Sequence, residues 1–281
     1  MVEKRSWLDY LAHFFLLLGI GLMLFPVYVA FVASTYTMPQ LLTAPMPLLP
    51  GGEFAANYWQ VLTGHNLGIG APVWQMMGNS LIMALGITIG KISISLLAAF
   101  AIVYFRFPFR MLCFWIIFIT LMLPVEVRIL PTYQVVASIG LLDTHAGLIL
   151  PLIASATATF LFRQFFMTVP DELCEAARMD GAGPLRFFFD ILLPMSRTSI
   201  AALFVIIFIY GWNQYLWPLL VTTKEEYYTI LIGINRILAV SDEIPQWPLV
   251  MATTLLAMIP PIIVVVMMQR QFVRGLIDAE K

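Results

Sequence analysis

Six long runs of apolar residues, separated by shorter polar segments, extend along the chain. Each run holds roughly twenty residues, which is the length that an α-helix needs to cross a hydrocarbon core about 30 Å thick. The runs do not alternate between apolar and polar residues as the strands of a membrane β-barrel do. The pattern therefore predicts an all-α polytopic membrane protein with six spanning helices, at residues 13–34, 76–104, 111–130, 146–167, 198–220 and 247–268.

The segment between the first two runs, residues 36–75, is rich in proline and glycine, which favour turns and end helices. We expect an external loop here, with one short helix at residues 54–62, because Tyr58 and Trp59 are residue types that settle at the membrane surface. The first run is longer than the apolar core of a signal peptide and lacks a convincing cleavage site. We therefore expect it to be retained as a span.

Composition and charge support this interpretation. Hydrophobic residues make up 61% of the 281 residues and charged residues only 11%, whereas about a quarter of an ordinary soluble domain is charged. If the N-terminus is cytoplasmic, only Lys224 and Arg236 face the outside, and by the positive-inside rule both termini are then cytoplasmic. The cytoplasmic side holds Lys4, Arg5, Arg106, Arg110, Arg178, Arg186, Arg197, Arg270, Arg274 and Lys281, with Arg163 at its edge.

Residue patterns typical of catalysis or metal binding are not found in the sequence. The stretch GITIGKI has three residues between its glycines, whereas a phosphate-binding loop needs four and a following serine or threonine. Gly86 and Gly90 are better explained as a face on which another helix packs closely. The histidines are too far apart to share a metal, and Cys113 and Cys174 lie in unlike surroundings. We expect no catalytic residue and no metal in this chain.

The cytoplasmic segment at residues 168–197 predicts a helix, a tight turn and a second helix. Pro170 suits the first turn of the first helix, and Gly181 can supply the left-handed residue that ends it. Pro184 then begins the second helix, and Pro194 ends it. The second helix carries an apolar cluster that would be unusual in water, so we expect packing against protein or the membrane edge for Phe187, Phe188 and Phe189.

The same segment resembles the EAA loop of the permease subunits of ABC importers. In that family the loop is a coupling helix seated in a groove of the ATPase, and small residues let a helix enter such a cleft closely. The alternative is an exposed amphipathic hairpin that only joins two spans. The resemblance rests on the position between the fourth and fifth predicted spans and on Glu175, Ala176, Ala177, Asp180, Gly181 and Ala182, followed by Ile191, Leu193 and Pro194.

The resemblance extends along the chain. The stretches LPVEVRILPTY, GLLDTHAGLILP and YGWNQYLWPLL are similar to the carbohydrate-uptake branch of these permeases, and the ending QRQFVRGLIDAEK is similar to permeases of sn-glycerol-3-phosphate importers. This implies a type I importer permease fold, with residues 1–281 forming one domain in a bacterial inner membrane. It also implies a second homologous permease, two ATPase subunits that bind ATP and magnesium, and a periplasmic binding protein. No nucleic-acid partner is expected.

One cation lies deep within a predicted span. Lys91 is near the middle of the second span, where a charge costs about 3 kcal/mol on insertion scales, so it should face the bundle interior or a wet cavity. Carbohydrate-uptake permeases tend to have a small or apolar residue at this place, and an ammonium group suits a phosphate. The alternative is a structural ion pair with Glu126.

Two further residues are candidate substrate contacts. Arg128, near the outer end of the third span, can hold a phosphate through two parallel hydrogen bonds or can extend to the outer headgroups. Asn213, within the fifth span, can donate to substrate hydroxyls or bond a neighbouring helix. These residues favour transport of sn-glycerol 3-phosphate, with glycerophosphodiesters as a related cargo. Two alternatives stay open: a permease for a neutral sugar or polyol, and a membrane signalling or assembly subunit that carries no solute.

Overall fold

The computed structural model describes residues 7–64, 71–120, 125–239 and 245–279, and within them every regular element is helical. In chain order these are α1 (Trp7–Ala33), α2 (Met38–Leu41), α3 (Phe54–Thr63), α4 (Val73–Tyr104), α5 (Arg110–Ile119), α6 (Val125–Ser138), α7 (His145–Ile149), α8 (Ala156–Met167), α9 (Asp171–Met179), α10 (Pro184–Phe187), α11 (Leu193–Met195), α12 (Arg197–Trp212), α13 (Leu216–Val221), α14 (Ile230–Ala239) and α15 (Trp247–Ala279). Short 3-10 turns follow α7 and α13, and one π-helical turn joins α10 to α11.

Three helices in the described part of the chain are long and apolar enough to cross a membrane: Asp9–Ala33, Val73–Tyr104 and Trp247–Gln269. Two bent pairs raise the number to five if each pair is one span. The first pair, residues 145–152 and 156–167, bends by 49°, and the second, residues 184–195 and 197–212, bends by 71°. In its described residues the protein is therefore all-helical, with three to five candidate spans, and six remains a prediction.

The expected fifth span at residues 198–220 is divided between α12, which ends at Trp212, and α13, which begins at Leu216. The expected third span has no counterpart among the candidate spans in the described residues. Instead of one helix at residues 111–130, the structure has α5, which ends at Ile119, and α6, which begins at Val125. Residues 121–124 lie outside the described part. Pro131 lies inside α6 and removes one backbone donor there.

The chain forms two compact units. The first contains residues 1–75 and 233–259. In it, the loop after α1 is tied back to the helix end, because the side-chain amide of Asn57 donates to the carbonyl oxygens of Ser34 (2.9 Å) and Tyr36 (3.0 Å). The short helix expected at residues 54–62 is confirmed as α3, which stops at Gly64, a residue with a φ of 73° that favours glycine.

The second unit contains residues 76–232 and 260–281. Its apolar centre is built around fully buried side chains of α4, α7 and α8, among them Ile87, Leu148 and Phe162. The expected packing face at Gly86 and Gly90 is confirmed. The side chains of Ile149 and Ile153 occupy the space where a Cβ atom at these two positions would lie.

Candidate functional site

A cavity of about 640 Å³ opens within the second unit, between α4, α5, α6, α8 and α12. It brings together two cations that are 37 residues apart in the sequence, Lys91 and Arg128. Tyr210 and several small or hydroxyl-bearing residues complete the polar part of the wall. The other lining residues are Ile94, Ala98, Ile116, Ile117, Thr120, Ala154, Ser155, Ala156, Thr157, Ala158, Thr159, Leu203, Ile206 and Ile207.

Lys91 is half-buried, and its Nζ atom lies 4.1 Å from the centre of the Tyr210 ring. A cation over an aromatic face is attracted by the ring quadrupole, and the attraction grows as water is excluded. Tyr210 could not be predicted as the partner of Lys91, because nothing in its spacing indicates which residue of α4 it faces. The predicted ion pair with Glu126 stays a prediction, because the Glu126 side chain lies outside the described part of the structure.

Arg128 is exposed on the cavity side of α6. Asn213, in contrast, is an exposed residue at the end of α12 and is not among the lining residues. Its backbone N–H donates to the carbonyl oxygen of Ile209 at 3.0 Å, which completes the last turn of the helix. Of the candidate contacts whose side chains are described, the structure therefore places Lys91 and Arg128 at one cavity and Asn213 outside it.

The sequence from α9 to α10 forms the expected helix and tight turn. The N–H of Gly181 donates to the carbonyl of Arg178 (3.1 Å), and the N–H of Ala182 donates to the carbonyl of Ala177 (2.8 Å). This pair of bonds, with Gly181 at a φ of 73°, is a Schellman ending. The left-handed role predicted for Gly181 is confirmed. An added Cβ at Gly181 would meet open space, so only the backbone conformation demands glycine.

The second helix of this hairpin is longer and less regular than predicted. It continues through the π-helical turn at Phe188–Leu192 and past Pro194 to Met195, one residue beyond the expected end. Pro194 is tolerated because it occupies the first turn of α11. The bend to α12 lies at Ser196, whose hydroxyl donates to the carbonyl of Leu192 at 2.6 Å.

The aromatic cluster of the hairpin is anchored on α4. Phe187 and Phe188 are buried, with ring centres 5.3 Å from Tyr104 and 5.0 Å from Phe100. The expected packing is confirmed for these two residues, whereas Phe189 is 56% exposed. The hairpin is therefore held against the end of a long helix.

The exposed face of the hairpin carries large apolar side chains among charged ones. Met179 is 86% exposed and Leu185 is 68% exposed. Among residues 175–182 only Ala177 is buried, and Ala182 is half-buried. The exposed residues of the motif are Glu175, Ala176, Asp180 and Gly181. Such an apolar surface, rimmed by charge, is typical of a protein contact.

A polar network in the second unit joins α4 to the segments at residues 143–145 and 223–228. The side-chain amide of Asn79 donates to the carbonyl oxygens of Glu226 (2.7 Å) and Tyr228 (3.0 Å), and its oxygen lies 3.0 Å from His145 Nε2. Asp143, at a φ of 53°, accepts from the backbone N–H of Lys224 (2.9 Å) and from the hydroxyl of Thr223 (2.7 Å). Sequence reasoning missed this network because its partners are at least 66 residues apart in the sequence.

The charge state of Asp143 follows from these bonds. Burial alone would raise the pKa of its carboxyl, but hydrogen bonds from the Lys224 backbone and from Thr223, together with the Lys224 charge, hold the pKa below its ordinary value. Because the folded-state pKa is depressed, the carboxylate contributes its full stability above the unfolded-state pKa of about 3.9. That contribution is lost as the pH falls through the folded-state pKa.

We predict that Asp143→Asn lowers the midpoint of thermal unfolding by on the order of 2 °C at pH 7, because a charged acceptor is replaced while the backbone conformation is retained. Unfolding of the detergent-solubilised protein, followed by intrinsic fluorescence, measures the change. The difference between the two proteins should be constant from pH 8 to pH 5. A difference that already shrinks between pH 8 and pH 6 would mean that another group is responsible.

No group of three or more metal-binding side chains is found among the described residues. His145 is engaged with Asn79, and His13 lies near the carbonyl of Asp9 in α1. His65 lies outside the described part. Cys113 and Cys174 are free thiols.

Comparison with known proteins shows the family to which the chain belongs. Residues 91–278 match the family model for the inner membrane component of binding-protein-dependent transport systems. The chain is 57% identical over 284 residues to a relative from Escherichia coli K12, and 58% identical over 282 residues to one from Agrobacterium fabrum C58. The alignments cover all of both chains, and both relatives are named sn-glycerol-3-phosphate transport system permease protein UgpE.

A solved structure shares the fold. It is the crystal structure of a bacterial ABC transporter involved in the import of the acidic polysaccharide alginate, with a TM-score of 0.80 and 22% sequence identity. The match covers 97% of this chain and 99% of the other. The chain belongs to the family of inner membrane components of binding-protein-dependent transport systems, and is a multi-pass permease subunit of an ABC importer, not an enzyme.

Proposed function

We propose that this chain is a permease subunit through which an ABC importer moves sn-glycerol 3-phosphate, and related glycerophosphodiesters, from the periplasm into the cytoplasm. The observation that carries the proposal is the meeting of Lys91 and Arg128 at one cavity. The names of the two full-length relatives point to the same substrate. The protein moves its cargo chemically unchanged.

The two cations fit an anionic cargo for an energetic reason. Placing a like-charged pair at one cavity with mostly apolar walls is costly, because the two cations repel each other and the half-buried Lys91 loses part of its water. A bound phosphate compensates for this cost by accepting charge-assisted hydrogen bonds. The lysine ammonium acts as a point charge, and the arginine guanidinium can donate two parallel hydrogen bonds. A neutral sugar offers no such compensation, which argues against the alternative of a neutral sugar or polyol permease.

Energy for transport enters through the hairpin. Helix α9 and the turn at Gly181 act as the coupling helix, and the apolar face around Met179 and Leu185 seats in the ATPase. The complete importer contains a second, homologous permease, two ATPase subunits that hold ATP and magnesium, and a periplasmic binding protein. ATP binding favours one of two permease conformations through its differential affinity for them. Glu175, Ala176, Asp180 and Ala182 contribute to the same contact, with Ala177 and Pro194 shaping the hairpin.

The topology consists of six spans in one permease domain at residues 1–281, with both termini cytoplasmic. A test uses single cysteines at Gly52, which is exposed in the loop before α3, and at Glu280, which lies outside the described part. The background lacks Cys113 and Cys174. A membrane-impermeant thiol reagent on intact spheroplasts should label the first cysteine and spare the second. The reverse labelling pattern would overturn the orientation and the coupling assignment.

Growth provides the experiment for the function as a whole. Cells without other routes for glycerol phosphate uptake are given the other subunits of the importer, either with or without this chain. They are then grown on sn-glycerol 3-phosphate as the sole phosphate source. Growth should require this chain together with a competent ATPase. Growth that is independent of the chain would favour the other alternative, a signalling or assembly subunit that carries no solute.

A further inference from the structure

We propose that Thr157 is the residue that contacts the polyol end of the cargo, so that it helps to select a hydroxyl-bearing phosphate ester. The inference rests on the proposed function and deepens it, since the two cations account for the phosphate alone. Thr157 lies in the first turn of α8, is exposed, and lines the same cavity as Lys91 and Arg128.

The other serine and threonine hydroxyls at the cavity are already engaged with the backbone. Thr120 donates to the carbonyl of Ile117 at 2.5 Å, and Thr159 donates to the carbonyl of Ser155 at 2.8 Å. The Ser155 hydroxyl accepts from the N–H of Ala158 at 3.2 Å and so caps α8. Among the described residues, no partner is found for the hydroxyl of Thr157. It is the threonine that can still bond a ligand at no cost to the fold.

The broken helix explains why Thr157 is free. Threonines within a continuous helix of this chain donate to the carbonyl four residues earlier, as Thr88 does to Ala84 (2.6 Å) and Thr253 does to Leu249 (2.8 Å). For Thr157 that residue is Ile153, which lies beyond the 49° bend between residues 145–152 and 156–167. The bend therefore removes the usual internal acceptor and leaves the hydroxyl to the cavity.

The chemistry of the cavity leaves little else for the polyol. Most of the wall away from the cations consists of alanine and isoleucine side chains, which cannot bond a hydroxyl. The Tyr210 ring faces Lys91. A hydroxyl that enters this cavity unpaired would lose its hydrogen bonds to water, and Thr157 can restore one of them as either donor or acceptor.

The experiment compares three variants in the complete complex, reconstituted in vesicles with binding protein loaded with labelled sn-glycerol 3-phosphate. Thr157→Val keeps the shape and removes the hydroxyl, and Thr157→Ser restores it. Thr254→Val is the matched control, because Thr254 lies in α15, outside the cavity lining, and its hydroxyl donates to the carbonyl of Val250 at 2.9 Å. Initial rates are measured against the concentration of loaded binding protein, with Lys91→Gln in parallel.

We expect Thr157→Val to lower the maximal rate about fivefold, with the half-saturating concentration of binding protein unchanged. Thr157→Ser and Thr254→Val should stay within about twofold of the parent. A Thr157→Val rate equal to the parent, or a loss that serine does not rescue, overturns the role of Thr157. If the Lys91→Gln rate also equals the parental rate, the proposed substrate site fails as a whole. If only Lys91→Gln is slow, the proposed function stands and this inference does not.

Discussion

Replacing Lys91 with glutamine is expected to reduce ATP-dependent uptake of sn-glycerol 3-phosphate by roughly 10- to 100-fold, the loss that corresponds to one charge-assisted hydrogen bond. The affinity of the binding protein for the ligand should not change, because that affinity belongs to another chain. Uptake is normalised to the amount of assembled complex. Lys91→Gln removes the cation that lies 4.1 Å from the centre of the Tyr210 ring, and with it one of the two positive charges at the cavity.

A second variant distinguishes substrate contact from a structural ion pair. Removing one partner of a buried pair destabilises a protein by about 3 to 5 kcal/mol, whereas removing both is often tolerated. If Lys91 binds substrate, the double variant Lys91→Met, Glu126→Gln should be as slow as the single one. Recovery of the double variant to the parental rate would remove Lys91 from the substrate site.

The second large effect is expected at the coupling turn. Gly181 has a φ of 73°, and a β-branched residue resists this conformation. Gly181→Val should therefore disrupt the two Schellman bonds, move the end of α9 and reduce coupled transport by at least about 10-fold, while the chain still inserts in the membrane. The measurement is transport per ATP hydrolysed in reconstituted complex, with ATPase content determined after purification.

Gly183 provides the matched control two residues away. It has a φ of −72° and a ψ of 167°, an extended conformation that valine adopts readily, and a Cβ there would also meet open space. Gly183→Val should keep normal coupling. Equal loss in both variants would show that the hairpin tolerates no side chain at all. Normal coupling with Gly181→Val would contradict the assignment of the coupling helix.

The sequence allowed much of the fold to be predicted where one signal dominates. Long apolar runs predicted α1, α4 and α15, because their length alone meets the thickness of the membrane. Gly181 was predictable because a left-handed residue strongly favours glycine. The bend in the fourth span was not, since hydropathy averaged over twenty residues does not show that the run at residues 146–167 is divided between helices at 145–152 and 156–167.

The candidate site was predictable in part for the same reason. A charge inside an apolar run is conspicuous, so Lys91 and Arg128 could be singled out, and the structure brings them to one cavity. Tyr210 and Thr157 could not be, because aromatic and hydroxyl residues are common in spans and only the packing shows which face the cavity. Asn213 was singled out for its polarity, although it ends a helix outside the lining.

Accumulation of labelled ligand by the complete complex in sealed vesicles tests the central claim most directly. Binding protein, both permeases and the ATPases are supplied together, and the lumen is assayed after ATP is added. The account predicts ATP-dependent accumulation of sn-glycerol 3-phosphate and none of maltose, with the former strongly reduced when Lys91 and Arg128 are both replaced by glutamine. Accumulation of maltose, or undiminished accumulation of glycerol phosphate without the two cations, would contradict it.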